Sequence, residues 1–188
     1  MGRFFFWLAH FIWHRLGPWK VVSTVPSGLK KAVVAVAPHT ANEDFPVGLG
    51  AWYTTGLSAS FIAKKELFDG PMGFIFKATG GIPLDRSKSQ NMVEQAAGFF
   101  KDREELFLVI APEGTRGLKD RWKTGFYHIA RMAGVPIILA YMDFSKKEVG
   151  MGELFHPTDD EAADMRYIEE FFKGKTAKIP GNYNPKLT

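Results

Sequence analysis

Two short apolar runs, Ala32 to Ala37 and Leu106 to Ala111, constrain the fold of this chain more than any other feature. Each is continuous rather than alternating, and each stops at a proline, Pro38 or Pro112, which removes a backbone donor and ends a hydrogen-bonded ladder. Val33, Val34 and Val36 are β-branched and suit a strand. Runs of this kind read as strands buried on both faces, the condition of a parallel sheet covered by helices. Each is followed by a polar loop and then by helical sequence, from about Glu43 to Thr55 and from Phe126 to Ala133, the latter with Gly134 as its stop. Further strands are expected at 19–25, turning back towards the Lys31 to Ala37 strand, and at 57–63, 81–84 and 135–141. Residues 147–155 read as a hairpin or bent strand. Shorter helices are expected after Lys64 and from Pro71 to Ala78, a longer one from about Ser89 to Asp102, and a final amphipathic helix capped by Asp159 and reaching Phe172. The expected fold class is α/β, a single domain with a mixed, largely parallel central sheet flanked by helices. A length of 188 residues, 46% of them hydrophobic, suits one such core.

The two ends differ from this middle. Residues 1–17 are apolar nearly all round between Arg3 and Arg15, with Trp7 and Trp13 suited to a headgroup boundary, and predict an N-terminal helix lying in a membrane surface or packed on the domain. A spanning helix needs roughly 20 apolar residues, and His10 and His14 interrupt this one. No small-residue cleavage pattern follows it, and Phe6 stands where an N-myristoylation motif wants Ser or Thr. The main domain is expected over 18–174. Residues 175–188 read as a polar, poorly packed tail carrying Pro180 and Pro185.

Several chemistries are excluded by what the chain lacks. With no cysteine there is no disulfide, thiolate nucleophile or cysteine-bound zinc. His10 and His14 are spaced as zinc ligands, but no His-Glu-x-x-His pattern accompanies them, and no metal site is expected. A Gly-x-Ser-x-Gly elbow and the Walker and dinucleotide glycine patterns are absent. A net charge of +4 favours an anionic partner such as a membrane surface, a phosphate group or an acidic carrier protein. It is too weak, and too evenly balanced outside one cluster, to point to nucleic acid. The 17 Phe and 5 Trp supply apolar surface for a lipid interface or an apolar ligand.

The candidate chemistry sits in loops at strand ends, where ligands of open α/β sheets collect. His39 follows the first apolar run, and the turn through Asn42, Glu43 and Asp44 can fold Asp44 back towards it. A carboxylate on the far nitrogen fixes an imidazole in one tautomer and makes it a better general base. The same residues also suit a plain helix cap beside a loop histidine. Arg86, at the end of Gly81-Ile82-Pro83-Leu84-Asp85, can present a planar fork to phosphate or pair with Asp85. Pro112-Glu113-Gly114-Thr115-Arg116 forms the loop after the second run, and Lys123 precedes a helix start that can favour an anion. A histidine base without a protein nucleophile points to attack by a substrate hydroxyl on an already activated acyl group.

Taken together, these stretches resemble the lysophospholipid acyltransferase family, typified by bacterial 1-acyl-glycerol-3-phosphate acyltransferases. His39 and Asp44 match its His-x-x-x-x-Asp block, Gly81 to Arg86 its second block, Pro112 to Arg116 its third, and Val135-Pro136-Ile137-Ile138 its fourth. Lys123-Thr124-Gly125 falls where such enzymes commonly carry Lys-x-Gly. The resemblance covers roughly residues 30 to 145, with Ala41 departing where many members have Ser. It implies that His39, held by Asp44, activates the hydroxyl of a lyso-lipid acceptor such as 1-acyl-glycerol-3-phosphate. The donor would be a thioester, acyl-CoA or acyl carrier protein, with no other cofactor. Arg86 and Arg116 would bind the anionic headgroup with Lys123 as a third cation, and Glu113, Gly114 and Thr115 would belong to the acceptor site. The implied location is peripheral, on the cytoplasmic face of the inner membrane. Two other readings are a transferase for a non-phosphorylated lyso-aminolipid and a catalytically silent lipid-binding protein.

Overall fold

The computed structural model describes Trp13 and residues 19–71, 73–84 and 92–187. Seven strands form one sheet: β1 (Lys20–Ser23), β2 (Lys31–Ala37), β3 (Ala59–Lys64), β4 (Gly81–Leu84), β5 (Leu106–Ile110), β6 (Ile137–Asp143) and β7 (Glu148–Phe155), in the order β1-β7-β6-β2-β5-β3-β4. Only the β6–β7 hairpin is antiparallel; every other neighbouring pair is parallel. The helices whose bounds lie among the described residues are α1 (Asp44–Thr55), α2 (Glu66–Asp69), α3 (Gly73–Ala78), α4 (Met92–Gly98), α5 (Gly125–Ala133) and α6 (Glu161–Phe172), with a 3₁₀ turn at Pro180–Asn182. The sheet is thus mixed and mostly parallel, as expected.

The two apolar runs become the central strands. β2 lies between β5 and β6, with Ala35 opposite Ile110 and Leu139. Because side chains alternate across a strand, β2 divides its residues between two different environments. Val33, Ala35 and Ala37 face a large core shared with Leu108 of β5 and Leu139 of β6, and with Ala96 of α4, Phe126 and Tyr127 of α5, and Ile168 and Phe172 of α6. Val34 faces the other way with Phe107, Ile138 and Ala140, a side on which α1 brings Trp52 and, beside Trp13, Val47 and Ala51. Each fully buried aliphatic or aromatic side chain contributes about 1.5–3 kcal/mol, so the first face carries most of the stabilisation.

Helix ends follow local chemistry. Gly134 closes α5 in the left-handed conformation at φ 64°, its N–H and that of Val135 returning to the last turn. α6 is capped by Asp160, whose carboxylate accepts the Ala163 N–H at 2.9 Å. The cap thus lies one residue after the expected Asp159, which instead faces Arg131 at 3.4 Å.

Two other expectations are corrected. β1 does not turn back onto β2. Both edges of β2 are taken by apolar strands, and β1, exposed on alternate residues, pairs with β7 at the sheet's margin. The C-terminal residues are not a loose tail either: Ala177 and Leu187 are buried, and Tyr183 packs against Trp122. Tyr183, between the two prolines, and Leu187, after them, join the core cluster that holds Trp122 and Phe172. The expected N-terminal helix lies outside the described residues except for Trp13, which is buried against Gly50 of α1. Among the described residues no helix is long and apolar enough to cross a membrane.

Candidate active site

Parallel pairing puts the C-terminal ends of β2 and β5 side by side, and the loops that leave them carry His39 and Glu113. The chain turns out of β2 through a cis Ala37–Pro38 bond. His39 follows, and Asp44 stands in the first turn of α1, so one short loop separates them. Asp44 is 2% exposed, and its Oδ2 lies 3.2 Å from His39 Nδ1 while also accepting the N–H groups of Thr40 at 2.6 Å and Ala41 at 2.9 Å. The N-cap residue of α1 is Glu43, which makes no side-chain cap hydrogen bond. Asp44 therefore serves the loop behind it rather than the helix ahead. With Nδ1 directed at the carboxylate, Nε2 is the nitrogen left to take a proton. The His39 side chain remains 29% exposed.

Glu113 completes this arrangement from β5. It is 5% exposed, and its Oε1 accepts the backbone N–H of His39 at 2.9 Å. Burial pushes its carboxyl up to about 7, against the lowering effect of the His39 N–H and imidazole, while the neighbouring Asp44 charge raises it further. Asp44 Oδ1 and Glu113 Oε2 are buried without a hydrogen-bond partner. Two desolvated carboxylates thus flank one imidazole, one on its ring and one on its backbone.

The cations gather around the same loops. Arg116 is exposed, and its Nη1 donates to Asn42 Oδ1 in the His39 loop. Lys123 N–H donates to Pro112 O at 2.8 Å, and the lysine's side-chain carbons lie 3.4 Å from where a Cβ on Gly114 would stand. Gly114 also has φ of 66°, a left-handed conformation that disfavours any residue with a side chain. Thr115 Oγ1 accepts the Gly117 N–H and serves its own turn. Arg86 lies outside the described residues, beyond the end of β4. The sequence pattern assigns no role to Thr40 and suits Asn42 only to the turn and cap, whereas the Asn42 side chain accepts from Arg116.

Below His39 an apolar cavity of about 210 Å³ runs between α1 and the sheet, lined by Val34, Val36, Phe45, Gly48, Trp52 and Met151 among others, with His39 and Asp44 at one end. Among the described residues no group of three or more His, Asp or Glu side chains is placed to hold a metal ion.

A model of the acyltransferase family matches residues 20–142, which hold the whole of this site as described. The chain belongs to the acyltransferase family. Within that family it is 40% identical over 85 residues to the 1-acyl-sn-glycerol-3-phosphate acyltransferase of Haemophilus influenzae, covering 41% of this chain and 35% of the relative. It is 32% identical over 101 residues to the enzyme of the same name from Escherichia coli, covering 50% of this chain and 40% of the relative. The matched stretches therefore span well under half the length of each. Among solved structures, the 1-acyl-sn-glycerophosphate (LPA) acyltransferase PlsC of Thermotoga maritima superposes with a TM-score of 0.65 at 19% identity, over 92% of this chain and 81% of its own. At that identity the likeness establishes the acyltransferase fold.

Proposed function

We propose that the protein transfers a fatty acyl group from a thioester donor to the hydroxyl of a lysophospholipid of the 1-acylglycerol-3-phosphate type. The observation that carries this reading is His39, backed on Nδ1 by buried Asp44, at the end of an apolar cavity. His39 Nε2 takes the proton of the acceptor hydroxyl as the oxygen attacks the thioester carbonyl. The tetrahedral intermediate collapses with loss of the C–S bond, and the imidazolium returns the proton to the leaving thiolate. Asp44 holds the imidazole in the productive tautomer and offsets its transient positive charge. The acyl chain enters the cavity under α1. At about 210 Å³ the cavity is smaller than the roughly 300–1,000 Å³ of ordinary ligand pockets, so a long chain continues out past Phe45, itself 42% exposed.

Arg116, tied to the His39 loop through Asn42, and Lys123 beside Gly114 supply positive charge for a phosphate-bearing headgroup, with Arg86 a third cation. This charge favours an anionic over a non-phosphorylated acceptor. Acyl-CoA and acyl carrier protein present the same thioester to His39, and either serves the chemistry. The acceptor's insolubility places the reaction at a membrane surface, on the cytoplasmic side where such thioesters are found, with the protein peripheral. The test is acyl transfer from each donor, radiolabelled, to lysophosphatidate by wild-type protein and by His39→Ala, with folding checked by circular dichroism. Loss of turnover in the folded variant is expected; undiminished turnover removes His39 as the base.

A further inference from the structure

We infer that residues 175–187 form a strap that positions the His39 loop and the Arg116 loop relative to one another for acceptor binding, with Thr40 and Asn182 as its positioning residues. The segment leaves α6 and crosses the C-terminal edge of the sheet. Thr176 O accepts the Phe144 N–H at 2.9 Å, just beyond β6. Ile179 N–H then donates to Thr40 Oγ1 at 3.1 Å, and Thr40 is the residue next to His39 whose own N–H is held by Asp44. Three residues on, Asn182 Nδ2 donates to Arg116 O at 3.1 Å. Asn184 Nδ2 reaches Lys119 O at 3.2 Å and Asp120 O at 3.1 Å, and Lys186 O accepts the Trp122 N–H at 2.9 Å.

The strap is itself fixed from below. The Tyr183 hydroxyl donates to Phe172 O at 2.9 Å with its ring 6.1 Å from that of Trp122, and the Leu187 N–H donates to Glu169 Oε2 at 3.0 Å. Burial, with the charge of Glu113 adding to it, holds the Tyr183 phenol above its ordinary value. One side of this segment is therefore core and the other is a row of donors and acceptors spent on two loops. Those loops also touch directly, through Arg116 to Asn42 and Glu113 to His39. A lysophospholipid acceptor must satisfy both at once, hydroxyl at His39 and anionic headgroup at Arg116, whereas the donor thioester needs the first alone. Loosening the strap should therefore penalise the acceptor selectively.

This inference rests on the proposed acyl transfer, and its experiment separates the two. Full-length wild type, Thr40→Val, Thr40→Ser and Asn182→Ala are compared in initial rates against lysophosphatidate and acyl-CoA, and in amide hydrogen exchange over residues 38–45 and 112–123. Thr40→Val and Asn182→Ala should raise the acceptor KM about three- to tenfold, the factor one hydrogen bond carries, with the donor KM unchanged. Thr40→Ser, which keeps the acceptor oxygen, should match wild type. Both loops should exchange faster in the two disabled variants. Unchanged acceptor KM in an active protein, or parallel loss of acceptor and donor parameters with Tm, overturns the strap. If the wild type transfers no acyl group, the functional reading fails and exchange decides the strap alone: unaltered protection overturns it, and faster exchange in both loops supports it.

Discussion

Glu113 takes the backbone N–H of His39 at 2.9 Å across 74 residues of sequence, so the loop that bears the imidazole is anchored by a carboxylate from the neighbouring strand. That anchor is buried, and its remaining oxygen, Glu113 Oε2, lacks a hydrogen-bond partner. Its ionisation is consequently a cost to the folded state.

Stability should therefore fall as pH rises through the range between the ordinary carboxyl value of 4.5 and about 7. A folded-state value above the unfolded one means the native protein binds more protons there, so the stabilisation is complete below 4.5 and lost above 7. The full swing is roughly 3 kcal/mol at 1.36 kcal/mol per unit. Asp143 and Asp164 are held below 3.8, and their contributions fade only on going lower, outside this window. Urea midpoints at pH 5, 6, 7 and 8 should decline for wild type and stay level for Glu113→Gln, which keeps an oxygen for the His39 N–H. A level wild-type profile would show that Glu113 ionises freely.

Asp44→Asn should cut kcat about 10²- to 10⁴-fold, the range a positioned general base supplies, because a neutral amide beside Nδ1 no longer offsets the charge of the imidazolium formed when Nε2 takes the proton. Its retained carbonyl oxygen can still accept from Thr40 and Ala41. Asp44→Ala leaves those buried N–H groups unpaired and should cost about 1–3 kcal/mol for each. Rates and urea curves of the two variants separate chemistry from support; equal stability in both would contradict the shared role of Oδ2.

Gly48 lines the apolar cavity, and a Cβ there meets nothing within 4 Å. Gly48→Leu should therefore shorten the preferred acyl chain, read as the kcat/KM ratio for short against long acyl-CoA. It should leave the fold as stable or more so, since glycine in a helix interior costs about 0.8–1 kcal/mol. An unchanged chain-length profile would place the acyl chain elsewhere.

Asp164 is a structural counterpart to Asp44. Its carboxylate accepts from Tyr127 Oη at 2.7 Å, Thr158 N at 2.6 Å and Thr158 Oγ1 at 2.9 Å, joining α5 to α6 through the buried core. Asp164→Ala should lower stability by about 2–4 kcal/mol while the surviving folded fraction keeps its acceptor and donor KM values. Altered KM values with intact stability would count against this division.

The fold was legible where one residue pattern decides one environment. The continuous runs at 32–37 and 106–111 need apolar cover on both faces, which only interior strands provide, and Gly134 needs no partner to end a helix. β1 was misplaced because its short apolar alternation fits any free edge, and which edge is free depends on β6 and β7 far along the chain. The final residues were misread for a related reason. Pro180 and Pro185 rule out a long α-helix, yet packing comes from Tyr183 and Leu187 meeting Trp122 and Phe172. At the site, the spacing of His39 and Asp44 is local and could be read directly. The partnership of Glu113 with the His39 N–H is set by strand register, which no spacing in the chain records.

Alternate residues of β2 answer to different demands. Val33, Ala35 and Ala37 are locked among three helices, where a changed volume is felt as lost stability. Val34 and Val36 border the cavity, where the same change alters its volume instead. A single strand thus offers two independent sets of positions: one holds the scaffold, and the other sets the room in the cavity, and so, for the proposed acyl transfer, the chain length accepted, while the His39 loop at the strand's end stays where it is.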